Sequence, residues 1–364
     1  MCTSLLYRDR AGRAYVGRTL ELTIDLPYLV ARFPEGLELE SAFPGHPALR
    51  WTNRFAVLAV TMPAEAPAPE RKPGPGELKV IEGLNSAGLS VSVQAYAAAG
   101  GPQAAVDQDK AVLSAADLGV WALGQFATVA EVRAALESQP VLLPRIPILG
   151  GLEMPFHYGI HDAGGDSLVV EFHKGQRTVL DNPVGVLTNA PQFSWHLTNL
   201  NNYTFLDNID RSRALFGSFQ AVQPGSGVAK AGLPVTDTSP DRFIRAAFYA
   251  QFAEKQSDAD QAVRMVAHLM NNFDRPRGIT VDPPQEGVEH LQVEGVAVPQ
   301  APTEFTSWTS LSDLERRLLF LRDGGGMDYV RLDLTALAGH TSFVAKPMQA
   351  LMAPTPDASQ ELAD

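Results

Sequence analysis

Apolar and polar positions alternate with a period of two over some stretches of the chain and with a period near 3.6 over others. Residues 3–7 read as a short strand, followed by the charged turn RDRAGR and by AYVGRTLELTIDL, which together predict a hairpin. WTNRFAVLAVTM (51–62) predicts a further strand, and the Pro- and Gly-rich PAEAPAPERKPGPGE after it a surface loop. That loop lies within the fold, because strand patterns resume at once in LKVIEGLNSAGLSVSVQAY. Helical spacing follows over 111–124 and 128–137, with Thr128 as an N-cap three residues before Glu131. LVVEFHKGQRTVLDN alternates around Lys174 and Gly175 and predicts a second hairpin, and QFSWHLTNLNNYTFL a helix. SPDRFIRAAFYAQFAE (239–254), starting at Ser239 or Asp241, and DADQAVRMVAHLMNNF are amphipathic helices. PTEFTSWTSLSDLERRLLFLRDGGGMDYVRLDL is read as strands, although SLSDLERRLLFL has helical propensity too. Residues 353–364 are expected to be a mobile tail.

Runs of strands followed by runs of helices, twice over, predict an α+β fold in which antiparallel sheets are covered by helices, a layered αββα arrangement. Residues 2–352 are expected to form a single domain.

At 364 residues, 45% hydrophobic and 19% charged, the chain has the balance of a folded globular protein. A net charge of -12 without a basic cluster disfavours nucleic acid as a partner. The apolar runs are too short for a membrane span. The first ten residues lack the pattern of a secretory signal, so the expected location is cytoplasmic as written, and periplasmic if a leader was removed before residue 1. One cysteine excludes an intramolecular disulfide and clustered thiolate metal sites.

Three motifs carry little chemistry. GDSL (165–168) matches an esterase signature but sits in a strand-like run without a partner motif, and is read as a turn entering a strand. His157 and His161 lack a third ligand, so no metal is expected. DGGGMD is a hairpin turn, since no Lys-Ser/Thr follows its glycines. No cofactor is implied.

Cys2 is different. Removal of Met1 exposes a residue bearing both a thiol and an α-amine, with ordinary pKa values of about 8.5 and 7.7–8.0. Nucleophile and base then reside in one residue, and no histidine is required. Position alone leaves open that Cys2 is a small residue of no catalytic consequence.

Separated motifs give this residue its context. MCT followed by VGRTLEL, then GLNSAGLSVSVQAY, GVLTNAPQFSWHLTNLNNY and SPDRFIRAAFY, with a weaker echo in EFTSWTSLSDLERRLLFLR, together resemble the choloylglycine hydrolase family. These are N-terminal-nucleophile amidases that include bile salt hydrolases and penicillin V acylases. The resemblance implies a four-layer αββα fold with two stacked antiparallel sheets, and it assigns roles. Cys2 would supply the sulfur nucleophile and its α-amine the base. Arg18 would lie near the thiolate, and Glu21, standing where the family has Asp, would accept a hydrogen bond from the amine. Asn189 and a backbone N–H at Ala95 would bind the oxyanion, Arg242 would brace the site, and Tyr96 would border the substrate pocket. Without the resemblance, Arg18 reads as a strand-face ion pair with Glu21, and Arg245 as the solvated arginine of its helix.

The implied activity is hydrolysis of a linear amide in an N-acylated small molecule through a thioester, penicillin V acylase-like or bile salt hydrolase-like. Alternatives are an N-acyl homoserine lactone acylase, an amine N-acyltransferase, or a non-catalytic acyl binder. NNYTFLDNIDRSRALFGSF occupies the place of a family insertion that aids assembly, so a homotetramer or other homo-oligomer is expected.

Overall fold

The computed structural model describes residues 1–65, 71–283, 293, 301–356 and 359. Two antiparallel sheets dominate it. The first has six strands in the order Val186–Leu187, Cys2–Arg8, Ala14–Leu22, Phe305–Asp313, Leu318–Asp323, Val330–Asp333. The second has eight, in the order Gln176–Asp181, Ser167–His173, Phe156–His161, Ser90–Ala95, Leu78–Asn85, Val57–Pro63, Leu29–Phe33, Val344–Pro347. Helix α1 (Leu118–Gln125) covers the second sheet at the strands Leu78–Asn85 and Ser90–Ala95, and α2 (Val129–Ser138) covers it at Ser167–His173. Helix α3 (Phe193–Leu200) leads toward α4 (Ser239–Phe252), which lies on the Cys2–Arg8 strand, and α5 (Ala259–Met270) lies on Ala14–Leu22 and Phe305–Asp313. The layers are therefore helices, sheet, sheet, helices. One apolar core fills the space between the sheets and under α1 and α2, and a second lies between the first sheet and α4/α5.

Local chemistry explains most boundaries. The Thr128 hydroxyl accepts from Glu131 N at 3.2 Å, and the Glu131 carboxylate accepts from Ala127 N at 2.7 Å, fixing the start of α2. Asp258 caps α5 through Gln261 N at 2.9 Å. Lys174 and Gly175 both have positive φ, 49° and 79°, as the tight turn between Ser167–His173 and Gln176–Asp181 demands. A Cβ at Gly175 would also meet the Gly101 and Pro102 carbonyls, so no other residue fits there. The GDSL segment is a turn entering the Ser167–His173 strand.

Two predicted elements are broken. Residues 51–62 form two strands, because Asn53 takes the Trp51 indole N–H at 3.1 Å and the next two amides, of Arg54 and Phe55, donate to Gly124 O. Of residues 111–124 only the end is α-helical; Ser114 N donates to Ser41 Oγ at 2.9 Å and Asp117 accepts from Ser41 Oγ at 2.7 Å, so the first turns bond across the fold. An exposed hairpin, Arg213–Phe216 with Phe219–Val222, was not predicted. The foreseen tail over 353–364 lies largely outside the described residues.

Candidate active site

The register of three strands assembles the site. Cys2 pairs with Leu20 and Ser4 with Arg18, so Cys2, Arg18 and Leu20 share the face of the first sheet that looks toward the second. Thr3, Thr19 and Glu21 alternate to the other face, under α4. Arg18 and Glu21 thus stand on opposite sides of one strand and cannot be the ion pair that spacing suggested.

Arg18 is fully buried. Its Nη2 donates to Cys2 Sγ at 3.3 Å and to Val93 O at 2.5 Å, while Nη1 donates to Ile81 O at 2.5 Å and to Glu82 Oε2 at 3.1 Å. Ser92 Oγ donates to the same Glu82 oxygen at 2.6 Å. The guanidinium also lies 5.0 Å from the Trp308 ring. Burial opposes the charge on Arg18, but the facing Cys2 sulfur and Glu82 outweigh it and hold the group charged.

Arg242 works from the other face. It projects from the first turn of α4 and donates through Nη1 to Cys2 O and to Thr3 Oγ1, the latter at 2.7 Å, and through Nη2 to Asn189 Oδ1 at 2.7 Å. That Asn189 oxygen also accepts Cys2 N–H at 2.9 Å. Asn189 itself is fixed by Ser239 Oγ, which accepts its N–H at 2.9 Å, and by His196 Nε2, which donates to its carbonyl at 2.9 Å. Ser239 turns its hydroxyl to this loop and does not cap its own helix.

Asn189 Nδ2 donates to Ala95 O at 2.8 Å. Ala95 lies opposite Phe156, and Tyr96 N donates to Pro155 O, so by antiparallel alternation the N–H and C=O of Ala95 both face away from the Phe156–His161 strand and toward Asn189.

Glu21 is fully buried, and no hydrogen bond reaches either of its carboxylate oxygens. Burial pushes its carboxyl above the usual range, against the attraction of Arg242 and the terminal ammonium. Its backbone N–H donates to Met1 O at 2.8 Å, which places the residue beside the chain segment preceding Cys2. The Met1 ammonium bonds to Glu21 O and, at 3.3 Å, to Glu304.

Cys2 and Arg18 open onto a cavity of about 120 Å3 walled by Leu20, Met62, Ile81, Ile148, Met154 and Phe156, with Met1 and Ala95 also in its wall. Tyr96, expected there, is elsewhere: its ring stacks on His157 at 5.0 Å and its hydroxyl meets His173 Nδ1 at 2.7 Å. It follows Ala95 by one residue and so points to the opposite face of its strand. Arg245 is likewise not solvated; it is buried, donates to Thr236 O at 2.5 Å and lies 5.5 Å from the Phe273 ring. Sequence reasoning missed Glu82, Thr3 and Ser239. Only Glu82 left a trace, as a lone acid inside the apolar run LKVIEGL.

Among the described residues no group of three or more His, Cys, Asp or Glu is placed to hold a metal ion, and no helix is long and apolar enough to cross a membrane.

Comparison with known proteins bears on the family and the fold. The chain is 35% identical over 162 residues to a bile salt hydrolase/transferase of Clostridium perfringens, a match spanning 44% of this chain and about half (49%) of that relative. It is 26% identical over 349 residues to a bile salt hydrolase/transferase of Lactiplantibacillus plantarum, covering 93% and 96% of the two chains. It is 28% identical over 255 residues to a penicillin V acylase of Pectobacterium atrosepticum, covering 69% and 60%. The fold superposes on a crystal structure of a C2A mutant of the conjugated bile acid hydrolase from Clostridium perfringens with a TM-score of 0.77 at 22% identity, over 98% of this chain and 99% of that one. For penicillin V acylase from Agrobacterium tumefaciens the TM-score is 0.71 at 22% identity, over 95% and 91%. The layered two-sheet fold is shared with both of these structures. A family model of linear amide C–N hydrolases matches residues 2–323, and the chain therefore belongs to the choloylglycine hydrolase family, amidohydrolases acting on linear amides.

Proposed function

We propose that Cys2, once its α-amine is free, is the nucleophile that cleaves an N-acylated small molecule. The observation that carries this reading is the Cys2 sulfur held 3.3 Å from the buried Arg18 guanidinium at the wall of an apolar cavity. The amine takes the thiol proton, and the sulfur attacks the amide carbonyl, forming a C–S bond and moving the carbonyl electron pair onto oxygen. That oxyanion is received by the second Nδ2 hydrogen of Asn189 and the N–H of Ala95. Collapse breaks the C–N bond, and the departing amine takes the proton from the Cys2 ammonium. Water then attacks the thioester, gives a proton back to the α-amine, and releases the acid and the thiol.

Met1 bears directly on this scheme. As an amide, Cys2 N has a single hydrogen, donated to Asn189 Oδ1. A free amine has further hydrogens and a lone pair, and the unpartnered carboxyl of Glu21 is available to orient it. Arg242 holds Cys2 O and Asn189 Oδ1 together and so braces nucleophile and oxyanion donor against each other.

The cavity favours an apolar acyl group. Roughly 150 Å3 of apolar cavity accommodates benzene, so about 120 Å3, widened when Met1 leaves, suits a single-ring acyl group such as phenoxyacetyl better than a fused steroid. Penicillin V-type substrates therefore lead over conjugated bile acids. Transfer of the acyl group to an amine is the second reading, favoured by relatives named as hydrolase/transferase.

Incubation with phenoxymethylpenicillin and with a glycine-conjugated bile acid, with and without a competing amino acid, tests these readings. Intact mass should show loss of Met1 and a transient acyl adduct on residue 2. Undiminished hydrolysis by Cys2→Ala defeats the mechanism, and binding without turnover points to a non-catalytic acyl binder.

A further inference from the structure

A groove of about 840 Å3 runs past the outer edge of the first sheet, beside the turn 181–185 and away from Cys2. Its size falls within the range of small-molecule sites, roughly 300–1,000 Å3. One wall is formed by α4, where the partly buried Phe252 follows the core residues Ile244 and Phe248 at one-turn spacing; the partly buried Leu200, Tyr203 and Leu206, at and beyond the end of α3, form another.

Two cations stand side by side in this lining. Arg8 Nη2 donates to Gly165 O at 2.5 Å, and Lys255 Nζ donates to Ala250 O at 2.9 Å and lies 4.7 Å from the Tyr7 ring centroid. Each retains further N–H donors. Neither has a carboxylate within 4.0 Å among the described residues. The nearby acids are otherwise engaged or placed: Asp181 pairs with Arg133, Glu254 lies 3.8 Å from Arg10, and Asp166 lines the groove without a cation of its own. Burial, and then the charge of Arg8, hold Lys255 below the ordinary lysine range. In a chain with a surplus of acids, two adjacent cations have been left unmatched beside an apolar wall.

We propose that this groove binds an amphipathic carboxylate, its apolar body along α4 and its carboxylate on Arg8 and Lys255. The guanidinium fork and the ammonium supply charge-assisted hydrogen bonds to a carboxylate, and the flanking, partly buried Tyr203, Leu206 and Phe252 offer apolar surface to an alkyl or ring body. The hydrolysis proposed above releases an acid of this chemistry, so the groove would sense product, but binding itself does not depend on that reading.

Titration calorimetry on the Cys2→Ala protein with dodecanoate, and with the uncharged dodecanamide, tests the site. Dodecanoate should bind, and Arg8→Gln/Lys255→Gln should weaken it at least tenfold while leaving dodecanamide within twofold; Phe248→Gln should weaken both. If the double variant does not fold, Lys255→Gln alone decides, with at least threefold weakening expected. The proposal is overturned if dodecanoate does not bind, if the charge variants bind it as wild type does, or if hydrogen exchange shows residues 244–252 already shielded by a second copy of the chain. Dodecanoate binding of this kind by Cys2→Ala, together with a Met1-processed wild type that cleaves no amide, would sink the proposed function and leave the groove standing.

Discussion

Arg18 is shared between a sulfur and a carboxylate. Replacing it by Met removes the donor to Cys2 and leaves Glu82 buried without its counter-ion, a loss of about 3–5 kcal/mol of stability for a broken buried pair. In urea denaturation, the double variant Arg18→Met/Glu82→Gln should regain a large part of that loss while remaining inactive, which separates the structural role of the pair from its role at the thiol. The motifs made Cys2, Arg18, Glu21, Asn189 and Arg242 legible in the sequence as a set, and the fold does bring them to one strand end. Glu82 was not legible as a partner of Arg18, because the pairing depends on two sheets meeting face to face, and Tyr96 was misplaced because one residue of register changes the face.

His161 offers a test with a pH axis. It is fully buried, neither ring nitrogen has a hydrogen-bond partner, and burial pushes it down to about 4 from an ordinary 6.5. A depressed histidine is neutral in the folded state, while the unfolded chain takes up a proton as pH falls below 6.5. Its stabilising effect is therefore present above 6.5 and lost progressively down to about 4. Between pH 7 and pH 4 the wild type should lose on the order of 3 kcal/mol more stability than His161→Leu, measured as the difference in urea midpoints.

At the scale of elements, the strands were read better than their partners. Periodicity located the Lys174–Gly175 hairpin, both long helices near the C-terminal third and the three strands from Phe305 to Asp333. It placed the start too early where the element is buried all round, as in α1, which occupies only the end of the 111–124 stretch read as helical, since a helix without a polar face gives no periodic signal to mark its beginning. It also failed at the hairpin Arg213–Phe216/Phe219–Val222, where Leu215, Phe216 and Phe219 are 68–69% exposed. Three large apolar side chains on an isolated two-stranded ribbon imply a covering surface, and a second copy of the chain is our reading, in line with the assembly role expected from its place in the sequence. Phe216→Ser/Phe219→Ser should lower the mass seen by light scattering across a concentration series, with the activity of each remaining subunit retained. A wild type that is already monomeric at every concentration refutes the assignment.

For the whole molecule, the two-sheet architecture followed from the order of strand and helix runs, whereas the long-range closure of the site did not. Nothing local in MCTSLLY specifies that residue 2 will be held by residues 189 and 242. A preparation in which Met1 is retained should be folded, with the same thermal midpoint within a few degrees, and inactive toward the amide that the processed protein cleaves. Aminopeptidase treatment of chains unfolded in mild denaturant, followed by refolding, should restore turnover, with intact mass tracking the removal.

That experiment touches on the order of events during synthesis. Cys2 bonds to Asn189, 187 positions later, its carbonyl to Arg242, 240 positions later, and the Met1 ammonium to Glu304, 303 positions later. At translation rates of about 5–20 residues per second, the first of these partners is made roughly 10–40 seconds after the N-terminus. Throughout that interval the start of the chain has no pocket around it, and a processing enzyme can reach it. Under the function proposed above, with Met1 as the translated start, the ribosome's pace would set the window in which Cys2 can be freed of Met1 before the site around it is assembled.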